Sequence, residues 1–82
     1  MTLDDLKAAR RRTVGTKQTL RAVEKGNVLC VFLARDAEER VVSDLVRMCQ
    51  EKGTPVEWVD FMALLGKACG IQVGAASAAI LK

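Results

Sequence analysis

Seven consecutive apolar residues, Val28–Ala34, constrain the fold of this 82-residue chain more than any other segment. Gly26 and Asn27 precede the segment and Arg35 follows it, so turn-forming and charged residues bound it on both sides. A short apolar run without polar alternation, rich in β-forming residues, is typical of a strand with both faces buried. Such a strand requires helices on both sides of its sheet. The segment therefore predicts a layered α/β protein.

Helices and strands alternate along the rest of the chain. Thr2 and the acid three residues later predict a first helix that runs to about Arg11 and is broken at Val14-Gly15. The elements predicted after the apolar strand are a helix over Glu38–Lys52, a strand over Val56–Val59 and a helix from Phe61 to about Cys69, with Asp60 as its cap. This order predicts one domain, residues 1–82, built as a three-layer α/β/α sandwich with right-handed crossovers.

The C-terminal segment Ala75–Leu81 has helical rather than strand propensity, because alanine dominates it. The region from Phe61 to Leu81 is also long enough to cross a bilayer and carries one charge, Lys67. A lysine near the middle of a span costs about 2.5–3.5 kcal/mol, and the glycines and alanines leave the region weakly apolar. We therefore favour a buried helix, loop and strand over a membrane span.

The segment Gly15–Val23 has the features of a helix start that binds an anion. Gly15 allows close approach of another molecule, and Thr16 is the predicted N-cap. The side chains expected on the exposed face are Lys17, Gln18, Thr19 and Arg21, and those expected to face the core are Leu20 and Val23. Free N–H groups with cations beside them favour a phosphate ligand.

Basic residues are concentrated in residues 1–25, which hold seven Lys and Arg against three acids, a local charge of +4. The remaining residues hold six basic and seven acidic side chains, a charge of −1. The basic part includes Arg10–Arg12, which would also suit the C-terminal end of the first helix. This asymmetry favours a polyanion as the partner of the N-terminal third. An ordinary solvated surface is the alternative.

The chain lacks the residues of common catalytic and metal sites. It has no histidine, and its three cysteines form no C-x-x-C pair, so neither a catalytic triad nor a structural zinc site is expected. No glycine-rich nucleotide loop is present. We predict no enzyme activity, no metal and no cofactor.

The three cysteines, Cys30, Cys49 and Cys69, each lie among apolar neighbours and are predicted to be small buried hydrophobic residues. Free buried thiols are typical of a reducing compartment. The segment Met1–Asp5 is acidic and lacks an apolar core, so no secretory signal is expected. We therefore expect a cytoplasmic protein.

The aromatic residues are Phe32, Trp58 and Phe61. Phe32 and Trp58 lie in predicted strands and are expected in the core. Phe61-Met62 is expected on a buried helix face, with a protein contact as the alternative. Proteins that read single strands by base stacking need exposed aromatic rings. An RNA ligand of this chain would therefore be a structured RNA, contacted through a helix end, cations and amides.

Three segments in the same order carry a family resemblance. They read Gly15-Thr16-Lys17-Gln18-Thr19-Leu20-Arg21-Ala22, then Leu65-Gly66-Lys67-Ala68-Cys69-Gly70, then Ile71-Gln72-Val73-Gly74-Ala75-Ala76-Ser77. Together they resemble the L7Ae ribosomal protein family, in particular its short bacterial members that bind kink-turn RNA. The resemblance implies an α/β/α sandwich around a mixed four-stranded sheet. It also implies that Ala75–Leu81 is a strand, against its helical propensity.

The resemblance also implies a two-part RNA site. Gly15 and Thr16 would approach phosphates, Lys17 and Gln18 would contact guanines of tandem sheared G·A pairs, and Arg21 would contact guanine or backbone. The loop Ile71-Gln72-Val73 would cap the base that leaves the three-nucleotide bulge, although ordinary loop hydrophobic residues are the alternative. The cations Lys25 and Lys67 complete the residues expected at the RNA.

Two departures from the family pattern bear on this expectation. Lys17 and Gln18 stand where archaeal and eukaryotic relatives have Asn and Glu, which keeps hydrogen bonding but changes charge. Phe61-Met62-Ala63-Leu64 stands where many relatives have lysines, which implies fewer phosphate contacts and less salt-sensitive binding.

The predicted function is non-enzymatic recognition of kink-turn or kink-loop RNA by a cytoplasmic monomer, associated with a ribosome or another ribonucleoprotein and not with a membrane. The alternative is a structural or protein-interaction domain of the same fold with weak or no specific RNA binding.

Overall fold

The computed structural model describes residues 1–82, which form four helices and four strands. In chain order these are α1 (Leu3–Ala8), β1 (Arg12–Val14), α2 (Thr16–Glu24), β2 (Val28–Ala34), α3 (Glu39–Lys52), β3 (Val56–Val59), α4 (Met62–Ala68) and β4 (Ser77–Leu81). The strands lie in the order β1-β4-β2-β3. β2 is parallel to β3, and β4 is antiparallel to both of its neighbours. The sheet is therefore small and mixed.

β2 lies between two strands, and six of its seven residues are buried. The exception is Leu29, which lies where the pairing with β4 shifts register between Val28 and Cys30 and is exposed. Apart from that residue, the prediction of a strand buried on both faces is confirmed.

Helices cover both faces of the sheet. One apolar cluster joins the sheet to α2 and α3 and includes Val23, Val31, Leu45, Cys49 and Ala79. The other joins the sheet to α1 and α4 and includes Leu6, Cys30, Phe32, Leu65 and Ile80. All three cysteines are free and buried. The predicted three-layer α/β/α architecture is confirmed.

The first helix is shorter than predicted. The expected cap at Thr2 is present, and its hydroxyl accepts a hydrogen bond from the N–H of Asp5 at 3.4 Å. The helix nevertheless ends at Ala8, and Arg12–Val14 pairs with β4 as a strand that the sequence did not predict. Arg10–Arg12 is therefore not a helix C-terminus. Three residues carry too little pattern to be recognised as a strand without their partner.

Arg12 instead connects two helix ends. Its guanidinium donates to the carbonyl oxygens of Leu6 (3.2 Å), Lys7 (3.3 Å), Ala9 (3.5 Å) and Cys69 (3.0 Å). These carbonyls lie at the C-terminal ends of α1 and α4, where helical partners are missing. Arg12 thus stabilises the fold, whereas Arg10 is exposed and makes no side-chain hydrogen bond.

The C-terminal segment forms strand β4, as the resemblance implied, and the helical propensity of its alanines is overruled. Ala78 and Ala79 have no exposed surface, because β4 lies between β1 and β2 with helices above and below it. Small side chains suit this crowded position. No helix combines the length and the apolar character that a membrane crossing needs.

Two predictions near α4 are wrong. Asp60 does not cap the helix; the Asp36 carboxylate accepts the N–H of Met62 at 2.8 Å instead, and Phe61 occupies the N-cap position. Trp58 and Phe61 were expected to be buried, but their exposed fractions are 42% and 56%. Trp58 is exposed because β3 is an edge strand with no neighbour on its outer side, whereas Phe61 lies outside β3, at the N-cap of α4.

Candidate functional site

Gly15 gives α2 an open N-terminus. It is the N-cap in place of the predicted Thr16, with φ 94° and ψ 160°, a backbone conformation that side-chain-bearing residues rarely adopt. A Cβ at Gly15 would meet nothing within 4 Å, so the space in front of it is free for a ligand. No side chain caps the helix, and the first-turn N–H groups of Thr16–Gln18 remain available.

Buried hydroxyl groups hold this helix start. Thr19 was predicted beside the exposed cations but has no exposed surface, and its Oγ1 donates to the Gly15 carbonyl at 2.7 Å. Because that bond uses the only Thr19 hydroxyl proton, Thr13 is the donor in the 2.9 Å pair between the two threonine hydroxyls. The spacing of Thr19 with Ala22 and Val23, both buried, is the helical signal that places Thr19 inside.

Three cations form a line along α2. Lys17, Arg21 and Lys25 are spaced four residues apart, all exposed, over a helix of roughly 13 Å. The only ion pairs of the protein are Arg35–Asp60 and Arg47–Asp44, so no acid neutralises this line. The exposed surface of α2 and its C-cap therefore carries three cations against one acid, Glu24, which makes no ion pair with them.

Gln18 has a fixed orientation at the same helix end. Its Oε1 accepts the backbone N–H of Val14 at 3.3 Å. Since the oxygen is engaged, the amide NH2 group remains as a pair of free donors on an exposed side chain. Lys17 and Gln18 thus both offer donors to acceptor atoms of a ligand.

The loop from Gly70 to Gly74 folds back along α4. Gly66 makes this possible, because a Cβ there would overlap the Val73 carbonyl oxygen and lie 3.1 Å from its carbon. A Cβ at Gly74 would lie 3.0 Å from the Met62 Cβ. The N–H of Ile71 donates to the Gly66 carbonyl at 3.0 Å, which ties the loop to the helix. The loop backbone is thereby held against α4.

The loop directs its side chains outward. Val73 is 71% exposed, and Ile71 and Gln72 are also exposed. The cation Lys67 follows Gly66 on α4 and is exposed near the loop. Large apolar side chains held away from the core on a fixed backbone present a surface for a flat apolar ligand group.

Ser77 brings the two parts together. Its carbonyl accepts the Gly15 N–H at 2.9 Å, and its hydroxyl lies 3.4 Å from that of Thr16. Ser77 begins β4, three residues after the end of the loop. The helix start, which follows β1, and the loop, which precedes β4, therefore lie at the same end of this antiparallel strand pair. All ten predicted site residues fall into these two groups, although Lys25 lies at the far end of α2.

No three His, Cys, Asp or Glu side chains lie close enough together to hold a metal ion. Burial is the main cause that raises the pKa of the thiols of Cys30, Cys49 and Cys69 above the ordinary value, and the nearby Arg12 guanidinium partly opposes it at Cys69. Raised pKa values keep these thiols protonated and weakly nucleophilic. The candidate site therefore consists of cations, amides, free N–H groups and apolar side chains.

The sequence pattern of the ribosomal protein L7Ae/L30e/S12e/Gadd45 family matches residues 2–82. An RNA-binding protein of Halalkalibacterium halodurans is 48% identical over 82 residues, 100% of both chains. RNA-binding protein YbxF of Geobacillus stearothermophilus is 42% identical over the same length, again 100% of both chains.

The solved structure of the Giardia lamblia 15.5kD RNA binding protein matches with TM-score 0.87 and 27% identity, covering 98% of this chain and 68% of that one. A protein of unknown function from Bacillus halodurans matches with TM-score 0.85 and 28% identity, covering 98% and 80%. This chain therefore belongs to the ribosomal protein L7Ae/L30e/S12e/Gadd45 family.

Proposed function

We propose that the protein binds kink-turn RNA, in which a duplex with tandem sheared G·A pairs bends sharply beside a three-nucleotide bulge. The observation that carries the proposal is the two-part site, in which Ser77 joins a cationic helix start to an outward-facing apolar loop. Family membership and relatives named as RNA-binding proteins support the same ligand class.

The α2 half of the site suits the bent stem. Phosphates can approach Gly15 because the space in front of it is open, and the first-turn N–H groups attract anions. Lys17 and the free NH2 group of Gln18 are donors, and guanine presents the acceptors O6 and N7 in the major groove. An ordinary RNA duplex hides these atoms in a narrow groove, so the donors favour a site where the helix is distorted. Arg21 would contact guanine or backbone and Lys25 the phosphates beyond.

The loop half suits an unstacked base. Ile71 and Val73 expose apolar surface on a backbone that Gly66 holds against α4. A base that leaves the bulge loses its stacking partners, and an apolar cover compensates part of that loss. Gln72, between the two aliphatic residues, offers hydrogen bonds to the base edge, and Lys67 offers a phosphate contact.

The protein would act by selecting the bent conformer from an RNA equilibrium. Only contacts that exist in the bent state shift the equilibrium, and simultaneous engagement of stem and extruded base is such a contact. Because backbone hydrogen bonds and buried hydroxyls hold both halves of the site, little protein ordering is needed on binding.

Titration of a kink-turn duplex against the same duplex without its G·A pairs tests the proposal. We expect the kink-turn to bind at least about 100-fold more tightly. Equal affinity for the two duplexes would refute kink-turn recognition and support the alternative, a protein-interaction domain with weak RNA binding. If Arg21, Lys25 and Lys67 contact phosphates, the slope of log K against log salt is roughly −2 to −3.

Substitutions on α2 test which residues bind the RNA. Lys17→Ala and Arg21→Ala are each expected to weaken kink-turn binding about tenfold or more without changing the melting temperature, because both side chains are exposed. Lys52→Ala is the matched control, since Lys52 is an exposed cation in the last turn of α3 and belongs to neither half of the site. Normal binding by the Lys17→Ala/Arg21→Ala double variant would move the site elsewhere.

We further propose that the protein works as a monomer in a cytoplasmic ribonucleoprotein, with the ribosome as the first candidate. Co-sedimentation of the tagged protein with ribosomal particles tests this setting, and its loss in the Lys17→Ala/Arg21→Ala variant is expected. A tagged protein found only in the light fractions would exclude the ribosome while leaving kink-turn binding to the titration.

A further inference from the structure

Arg12 connects the two halves of the candidate site. Along the chain it belongs to β1 and lies three residues before Gly15, where the α2 half begins. Its side chain reaches the end of α4, where the Nη2 atom donates to the Cys69 carbonyl at 3.0 Å. Cys69 immediately precedes the loop Gly70–Gly74, which forms the other half. One side chain therefore joins the strand that carries the helix start to the beginning of the loop.

The guanidinium of Arg12 is engaged with backbone acceptors on two helices. Its Nη1 atom is shared among the carbonyl oxygens of Leu6, Lys7 and Ala9, at 3.2, 3.3 and 3.5 Å, while Nη2 binds Cys69. Hydrogen bonds from a charged donor are stronger than those between neutral groups, and the planar fork fixes their directions. The end of α4 is therefore held in a defined position relative to β1 and α1.

Both ends of the loop are tied to the same segment of the chain. At the loop start, Gly70 turns away from α4 with φ 76°, and a Cβ there would lie 3.8 Å from the Arg12 Nη2 atom. Beyond the loop end, the Ser77 carbonyl accepts the Gly15 N–H at 2.9 Å. Arg12 and Gly15 are the first residue of β1 and the residue that follows its last. The position of the loop relative to α2 thus depends on two contacts, of which Arg12 makes one.

We propose that Arg12 is a positioning residue for RNA recognition, which holds the 71–73 loop at the distance from α2 that a kinked RNA requires. The inference rests on the proposed function, in which α2 binds the stem and the loop covers the extruded base. When the halves are fixed relative to each other, an RNA that engages α2 meets the loop already in place, so the second contact carries little ordering cost. Without Arg12 the end of α4 is released, and the gain from that contact decreases.

A thermodynamic cycle separates this role from stability alone. Wild type and Arg12→Met are titrated, below the melting transition, with a kink-turn and with the same kink-turn in which the extruded nucleotide lacks its base. Wild type should bind the abasic RNA about tenfold more weakly than the intact one. Arg12→Met should bind the intact RNA about tenfold more weakly than wild type does, but the abasic RNA about equally well, because the loop contact is already absent.

Two control variants accompany the cycle. Val46→Ala truncates a partly buried residue of α3 that packs against the sheet, so it should lower stability and leave the affinity for both RNAs unchanged. Arg12→Lys keeps the charge but replaces the planar fork by a point charge, which cannot serve two helix ends in the same way. It should show the pattern of Arg12→Met with a smaller loss, and it carries the cycle if Arg12→Met does not fold.

The salt dependence distinguishes positioning from direct contact. Because the Arg12 guanidinium is occupied by backbone carbonyls, removing it should leave the slope of log K against log salt unchanged. A slope that becomes smaller by about one in Arg12→Met would make Arg12 a phosphate contact instead.

Amide hydrogen exchange tests the positioning without RNA. The N–H of Ile71 donates to the Gly66 carbonyl at 3.0 Å and reports opening of the loop. We expect its exchange to accelerate about tenfold or more in Arg12→Met and to remain unchanged in Val46→Ala, whereas amides at the centre of β2 should exchange faster in both variants, through global unfolding.

Equal losses for the intact and the abasic RNA, or no loss for the intact one, would overturn the role of Arg12 in recognition. Unchanged exchange of the Ile71 N–H in Arg12→Met would overturn the positioning of the loop. Failure of the proposed function has a different signature, namely equal wild-type affinity for duplexes with and without the G·A pairs.

Discussion

Replacing Gly66 by alanine tests the link between α4 and the 71–73 loop. Two effects oppose each other. Alanine improves helix propensity by about 1 kcal/mol relative to glycine in a helix interior. The added methyl group, however, overlaps the Val73 carbonyl oxygen and lies 3.2 Å from the Gly74 Cα, and these are backbone atoms that cannot rotate away.

The steric effect is expected to win. Inserting a methyl group into a packed contact costs about 1–3 kcal/mol. The loop has to move outward, which strains the 3.0 Å hydrogen bond from the Ile71 N–H to the Gly66 carbonyl, worth about 1 kcal/mol. Subtracting the propensity gain leaves a destabilisation of about 1–3 kcal/mol. For a domain of this size, the melting temperature falls by about 5–20 °C.

Thermal unfolding by circular dichroism and a kink-turn titration below the transition measure the two consequences. We expect Gly66→Ala to weaken RNA binding about tenfold, or about 1.4 kcal/mol, because the loop leaves the extruded base. Val73→Ser is the matched variant: the side chain is mostly exposed, so RNA affinity should fall while the melting temperature stays constant. An unchanged or raised melting temperature for Gly66→Ala would refute the packing argument. A lowered melting temperature with unchanged RNA affinity would refute the role of the loop.

Three further predictions concern stability. Arg12→Met leaves helix-end carbonyls without their charged donor and should lower the free energy of unfolding by about 2–3 kcal/mol. Arg10→Met should leave it unchanged, and equal melting temperatures of the two variants would contradict the proposed connection of α1 and α4. Thr19→Val leaves the buried Thr13 hydroxyl without its acceptor and should lower the free energy of unfolding by about 1–3 kcal/mol. The Thr13→Val/Thr19→Val double variant should recover part of that loss, and additive losses would argue against a hydrogen bond between the two hydroxyls. Burial raises the pKa of the three thiols, so the unfolded chain loses these protons first as the pH rises, and the free energy of unfolding measured in urea should decrease above about pH 8.5. The decrease should be less steep in Cys49→Val, and a free energy of unfolding that does not change with pH would contradict this prediction.

The elements that sequence predicted well have a strong local pattern. α3 has the i, i+3, i+4 apolar spacing over four turns, and the structure places it at Glu39–Lys52, within one residue of the predicted start. β2 has a short apolar run, bounded by turn-forming and charged residues, that favours a strand covered on both faces. The cations of α2 were identified because exposed charges are recognisable without knowledge of the neighbours.

The failures share a different cause. β1 has only three residues, too few to show a pattern, and β4 is rich in alanine, which lacks strand propensity. They form strands because they pair with each other and because β4 also pairs with β2. Trp58 was misplaced because its exposure depends on β3 being the outer strand, which no local pattern reveals.

The sequence by itself determined the layered fold class, the buried cysteines, the positive charge of the N-terminal third and the family to which the chain belongs. These follow from side-chain chemistry and from spacing within single segments. Only the tertiary structure decided that Gly15 rather than Thr16 caps α2, that Gly66 carries the 71–73 loop and that Ser77 joins the loop to the helix start. Those features depend on contacts between residues far apart in the chain. Strand pairing and close packing gain their free energy from two segments in contact, so neither segment alone reveals them.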